Sequence, residues 1–117
     1  MTDHCFNSAF KMDEVTLLRH SYQLIRKDFG LEESWDFEDG ENQFDRLEDF
    51  LTKQVDYLLD HDLNQLLNAL YRIDIPENRV KDLLQHSKQG EIARNVAKAI
   101  IEREKQKVIT RQQYRPS

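Results

Sequence analysis

Apolar residues recur three and four positions apart along most of this chain, and this spacing places them on one face of an α-helix. Gly30 follows the first such stripe directly, and glycine readily adopts the left-handed conformation that ends helices. The pattern therefore predicts a first helix over residues 11–29. Its apolar face would consist of Val15, Leu18, Tyr22, Ile25 and Phe29.

Two more stripes follow between residues 44 and 73. Asp62 stands between them at a position suited to an N-cap, but no Gly or Pro interrupts the chain here. The pattern is therefore compatible with two helices or with one bent helix. The second stripe contains Phe44, Leu47, Leu51, Val55, Leu58 and Leu59. The third contains Leu63, Leu66, Leu67, Leu70 and Tyr71.

A helix start signal follows the third stripe. Asp74 would be an acidic cap, Pro76 would occupy the first turn, and Glu77 is placed as in a capping box. We expect a short fourth helix that buries Val80, Leu83 and Leu84. A polar connector over residues 85–90 then leads to the last and longest helix.

These elements predict an all-α, single-domain bundle of about five helices over residues 1–117. The 3 Gly and 2 Pro of the chain are too few for the frequent turns of a β-sandwich or barrel. A charged fraction of 33% is one that the solvent faces of helices accommodate. We expect a core of Leu18, Tyr22, Ile25, Leu47, Leu51, Val55, Leu58, Leu67, Leu70, Val80, Leu83, Val96 and Ile100.

Three segments fall outside this helical pattern. We expect residues 1–11 to form a mobile tail and residues 110–117 to form a basic tail. Residues 30–42 carry six acids and no base, with Trp35 and Phe37 among them, and we expect a long acidic loop there. Long loops are often functional, so Trp35 and Phe37 are candidate partner-binding residues.

Cysteine content and hydropathy bear on the compartment. A single cysteine excludes an intramolecular disulfide and fits a reducing environment. No segment has the apolar length of a signal peptide or a membrane span. We therefore expect a soluble, cytoplasmic protein with no membrane partner.

Motifs for catalysis or metal binding are not found in the sequence. If Gly40 is set at the sixth position of an EF-hand loop, Trp35 comes first and Arg46 last, and neither can be the required carboxylate. The acids around His61 fit a solvent face with an N-cap better than a metal site. We expect no metal, no cofactor and no enzyme activity, although an enzyme or metal site assembled only in the fold remains an open alternative.

Charge is unevenly distributed along the chain. Residues 1–87 hold 9 Lys and Arg against 19 Asp and Glu, whereas residues 88–117 hold 8 against 3, giving −10 and +5. Arg103, Lys107 and Arg111 are spaced four apart on the last helix. We expect them to meet acidic groups of this protein or of a protein partner, and nucleic acid is the rival ligand.

Two stretches carry a resemblance. LLNALYRIDIPENRVKDLL at 66–84 and IIEREKQKVITRQQY at 100–114 resemble a family of small all-helical bacterial proteins of uncharacterised function. The resemblance implies that residues 71–74 close one helix and open the next, and that Arg103, Lys107 and Arg111 line the last one. It implies no catalytic residue or cofactor. We therefore predict a non-catalytic protein-binding adaptor or regulator, with nucleic-acid binding through the basic C-terminal helix as the alternative.

Overall fold

The computed structural model describes residues 14–30, 43–88 and 90–114, and 89% of this part is helical. The predicted all-α bundle is confirmed, since the described residues form five helices and contain no strand. The helices are α1 (Glu14–Phe29), α2 (Gln43–His61), α3 (Leu63–Ile73), α4 (Glu77–His86) and α5 (Ile92–Tyr114). The predicted acidic loop at 30–42 lies outside the described residues except for Gly30, and so do the predicted tail at 1–11 and residues 115–117 of the predicted basic tail. Residues 110–114 of the predicted basic tail belong to α5.

The first helix ends as its sequence predicts. Its stripe, apart from Val15, is buried, and Gly30 adopts a φ of +65° directly after Phe29. A left-handed residue at this position stops the helix without the steric cost that a Cβ would bring. Arg26 and Lys27 lie in the last turn, where positive charge interacts favourably with the helix dipole.

The chain between residues 43 and 73 forms two helices. Asp62 leaves the helical conformation with φ −156° and ψ 75°. Its side chain accepts a hydrogen bond of 3.1 Å from the backbone N–H of Gln65, which is otherwise an unpaired donor in the first turn of α3. The side-chain cap therefore starts a new helix without Gly or Pro.

The turn between α3 and α4, residues 74–76, is called the elbow below. Asp74 has a φ of +74°, and its N–H donates to the carbonyls of Leu70 and Tyr71. The N–H of Ile75 also donates to the carbonyl of Leu70, at 3.2 Å. This is a Schellman ending of α3, in which the apolar residue after the left-handed one packs back on the helix. Ile75 is accordingly buried.

The predicted capping role of Asp74 was therefore wrong. Asp74 closes α3 rather than opening α4, and Pro76 is the N-cap of α4, without a side-chain cap hydrogen bond. Glu77 forms no capping box with Asp74, because Asp74 is already held in the left-handed conformation. The physical reason is the Schellman pairing, which uses the backbone of residues 74 and 75 before the next helix starts.

Helix α5 lies at the centre of the bundle and packs against each of the other four helices. The predicted core is largely confirmed, because ten of its thirteen residues are buried. Leu67, Val80 and Leu83 are only half-buried, and α4 has no fully buried residue. The core also contains buried residues outside the predicted set, among them Leu66, Ile73, Ile75 and Val108.

Three residues assigned to apolar stripes are exposed. Val15, Leu63 and Tyr71 each lie within one turn of a helix end. Side chains in the end turns of a helix have fewer neighbours to cover them, so spacing alone overestimated the extent of the buried face. Tyr71 is the most exposed of the three, at 65%.

Candidate functional site

The candidate residues singled out from the sequence have different locations. Trp35 and Phe37 lie outside the described residues. Arg103, Lys107 and Arg111 all belong to α5, and Arg111 is exposed near its C-terminal end. The other two point toward the rest of the bundle and contact acidic groups of the chain itself.

Arg103 holds the elbow. Its Nη2 lies 3.1 Å from Oδ2 of Asp74, and its Nε donates to the carbonyl of Asp74 at 3.3 Å. One guanidinium therefore binds both the side chain and the backbone of the left-handed residue. Because a guanidinium has a fixed planar array of donors, this pairing restricts where the elbow can lie on α5.

Lys107 is the central residue of a buried charge cluster, defined here as Asp28, Glu104 and Lys107. Its Nζ lies 2.8 Å from Oε1 of Glu104 and 3.5 Å from Oδ2 of Asp28. The same ammonium donates to the carbonyl of Ile73 at 3.3 Å, at the end of α3. The cluster thus joins α1, α3 and α5 at one point.

Glu104 is the most unusual member of this cluster. It is 0% exposed, and neither of its carboxylate oxygens has a hydrogen-bond partner among the described residues. The ammonium of Lys107 forms an ion pair with Oε1 of Glu104 at 2.8 Å. Burial raises the pKa of Glu104 to about 7, with Asp28 acting in the same direction and Lys107 opposing it.

A simple signal in the sequence could have identified Glu104. The buried residues of α5 include Ala97, Ile100 and Ile101, and Val108 follows one turn beyond Glu104. Glu104 therefore lies inside an apolar stripe of helical spacing, where a carboxylate is costly unless it is paired. Asp28 gives no comparable signal, because its position next to α5 depends on how α1 packs.

An apolar groove runs between α3 and α4. It encloses about 230 Å³ and is lined by six apolar or aromatic side chains, with Glu77 and Lys81 at the rim. Nζ of Lys81 lies 3.8 Å from Oε1 of Glu77, and both side chains are well exposed. The groove lining consists of Leu67, Leu70, Tyr71, Ile75, Val80 and Leu84.

A second groove lies between the start of α2 and α5. It encloses about 380 Å³ and carries charges of both signs, with Asp45 and Glu48 facing Lys98 and Lys105. The ammonium of Lys105 lies 4.4 Å above the ring of Phe44, a cation–π contact. Much of the positive charge of α5 is therefore engaged within the bundle.

The acidic, histidine and hydroxyl side chains of the described residues bear on metal binding and nucleophilic catalysis. No group of three or more His, Cys, Asp or Glu side chains is placed to hold a metal ion within residues 14–30, 43–88 and 90–114. Ser21 is buried, but its hydroxyl has no hydrogen-bonded base among these residues. None of the three cluster residues lines the two grooves.

The described helices include none that is long and apolar enough to cross a membrane.

Comparison with other proteins adds no relative. No protein-family model matches this chain, and no curated protein sequence or solved structure matches it either.

Proposed function

We propose that this protein is a non-catalytic binding module, an adaptor or regulator, that receives an amphipathic helix of a partner protein in the α3–α4 groove. The observation that carries the proposal is the apolar lining of this groove, which ends at Tyr71, a large side chain left 65% exposed. Tyrosine combines a large apolar ring with a hydroxyl and is enriched among residues that dominate binding energy.

The dimensions of the groove support a helical occupant. α3 has 11 residues and α4 has 10, so each wall is about 15 Å long at the rise of an α-helix. Such a length accommodates two to three turns of a bound helix, which would present apolar residues at positions i, i+3, i+4 and i+7. The half-buried state of α4 supports adjustment of this wall to the bound helix.

Charge at the groove favours an apolar protein segment over a polyanion. Glu77 and Lys81 are the two charged residues at its rim, and they offset each other. An exposed pair of this kind contributes little to stability and can rearrange at low cost. We therefore expect binding to depend only weakly on salt.

The basic C-terminal helix gives weaker support to the rival nucleic-acid function. Arg103 is bound to Asp74, and Lys107 is partly buried between two carboxylates. A phosphate backbone would have to displace these internal acids before it could reach either cation.

Arg111 stays a candidate for partner contact, as do Trp35 and Phe37. A bacterial, cytoplasmic origin is part of the proposal, and the single cysteine supports the latter.

The test uses peptides selected from a displayed random library against the whole protein. Backbone NMR shifts caused by the tightest peptide should map to α3 and α4. Tyr71→Ala should weaken its affinity by about tenfold or more, because truncating an aromatic residue that dominates binding costs on the order of 2 kcal/mol.

A matched control is available within the chain. Tyr57 is 59% exposed on α2 and stacks on His61, so Tyr57→Ala removes an equally exposed aromatic side chain away from the groove. We expect this variant to bind with unchanged affinity. The proposal is refuted if the peptides map to another surface, or if both tyrosine variants weaken binding equally.

A further inference from the structure

The buried charge cluster lies directly beneath the elbow. Lys107 donates to the carbonyl of Ile73, the last residue of α3, and Arg103 holds Asp74, the next residue. Both anchors come from the same stretch of α5, one turn apart. The position of the elbow on α5 is therefore set by two cations, and one of them is shared with Asp28 and Glu104.

Lys107 cannot serve all of its acceptors equally. Its ammonium is closest to Glu104, at 2.8 Å, whereas the carbonyl of Ile73 and the carboxylate of Asp28 lie at 3.3 and 3.5 Å. When Glu104 is ionised, it attracts the ammonium most strongly, and its charge also repels that of Asp28. When Glu104 is protonated, the cluster is neutral and Lys107 is left to Asp28 and Ile73.

We propose that Asp28, Glu104 and Lys107 form a proton-operated latch that holds the elbow and α4 against α5 when Glu104 is protonated and loosens them when it is ionised. The structural basis is a fully buried carboxylate whose nearest donor, the ammonium of Lys107, is shared with Asp28 and Ile73 at the point where three elements meet. The proposal does not depend on what the α3–α4 groove binds.

The charges that face Glu104 are few. Asp28 from α1 and Lys107 from α5 are the groups whose charge acts on it. From α3, Arg72 contacts the carbonyl of Asp28, and Asp74 of the elbow is neutralised by Arg103. On α4, Arg79 pairs with Glu102 of α5. On α2, Glu48 and Asp49 pair with Arg94 of α5.

Helix α4 is the element that such a latch would control. It has no fully buried residue and touches the core through half-buried side chains such as Val80 and Leu83. Its ion pair with Glu102 is exposed and contributes little. Since the elbow is short, a change in how it is held passes directly to α4. Elements with few buried contacts open at lower free energy than the core does.

Hydrogen exchange on the whole protein tests the proposal. We compare wild type with Glu104→Gln at about pH 5.5 and about pH 8. The glutamine keeps the shape of the side chain and stays neutral at both pH values. Exchange rates are corrected for the intrinsic pH dependence of amide exchange. Between the lower and the higher pH, the equilibrium constant for opening of the amides in residues 77–86 should rise in wild type. This rise should exceed any rise in Glu104→Gln by about tenfold or more. Amides in the middle of α2 exchange through global unfolding, so they should open at a higher free energy than the amides of α4 at both pH values.

A second measurement keeps the test independent of whether Glu104→Gln folds. Asp28→Asn removes the neighbouring carboxylate that disfavours ionisation of Glu104, so the pH at which α4 loosens should move lower. Carboxyl ¹³C NMR of Glu104 should show the same displacement. If α4 opens only together with α2 at the free energy of global unfolding, if α4 does not respond to pH, or if the midpoint is the same in Asp28→Asn, then the latch is refuted.

Discussion

Two of the charged junctions between α5 and the rest of the bundle each combine one basic residue with two acids, yet they differ sharply in burial. At the first, Arg94 of α5 contacts Glu48 and Asp49 of α2, and its side chain is 43% exposed. The guanidinium donates to both carboxylates, at 3.0 Å in the case of Asp49, and these hydrogen bonds raise the pKa of Arg94. Water remains in contact with all three groups and screens their charges.

The second junction is the buried charge cluster. Lys107 is 17% exposed, Asp28 is 13% exposed and Glu104 is fully buried. The charges are the same in number and sign, but here desolvation dominates and raises the pKa of one carboxyl group, that of Glu104. The comparison shows that burial, rather than the number of paired charges, decides whether a junction can respond to protons.

Removing the basic residue should give the largest difference between the two junctions in the free energy of unfolding. Lys107→Met leaves two carboxylates near each other without a counter-charge, and we expect a loss of about 3 kcal/mol in the free energy of unfolding at about pH 8. Arg94→Met, the matched control, should lose less than about 1 kcal/mol. Urea unfolding followed by far-UV circular dichroism measures both. Equal losses would contradict the difference in burial.

The pH dependence of wild-type stability is the next largest effect. The pKa of Glu104 is 4.5 in its unperturbed state and about 7 in the fold, so the folded state binds this proton more tightly. The stabilisation is fully present below about pH 4.5 and is lost as the pH rises through 7, by about 2 kcal/mol between about pH 5 and pH 8. Urea unfolding across that range measures how the free energy of unfolding changes with pH. The same measurement on Glu104→Gln gives the contribution of all other groups, and the difference between the two proteins isolates Glu104. A rise in stability with pH in this difference would be inconsistent with the raised pKa.

Neutralising one acid at each junction should give effects of opposite sign. Glu104→Gln removes a fully buried charge that shares its counter-ion Lys107 with Asp28, and we expect a gain of about 1 kcal/mol in the free energy of unfolding at about pH 8. Glu48→Gln removes a charge that Arg94 binds near solvent, and we expect a loss of about 0.5 kcal/mol. Both are read from thermal and urea unfolding. Two losses of similar size would show that Glu104 is stabilised in its ionised form.

Salt should produce the smallest difference. The stability lost in Arg94→Met should shrink by a few tenths of a kcal/mol when salt is raised to about 1 M, because solvent ions screen exposed pairs. The loss in Lys107→Met should stay constant over the same range, since the cluster is largely shielded from solvent. A parallel salt dependence in both variants would mean that water reaches the cluster freely.

The sequence by itself determined the helical class and most of the helix bounds. The spacing of apolar residues placed Leu18, Ile25 and Leu51 correctly in the core, because a helix of regular period turns one stripe inward wherever it packs. Gly30 and Asp62 ended and started helices as their conformational preferences require. These are local effects, and local effects can be read from neighbouring residues.

The tertiary structure alone decided what surrounds the candidate residues. Asp28 and Lys107 are 79 positions apart and meet only because α1 and α5 pack together. The same holds for Arg103, which reaches Asp74 across 29 positions. Spacing along one helix predicted that Arg103, Lys107 and Arg111 share a face, but not that burial would enclose Lys107 with two acids and leave Arg111 exposed. Burial and desolvation depend on contacts between distant segments, and one-dimensional spacing does not contain those contacts.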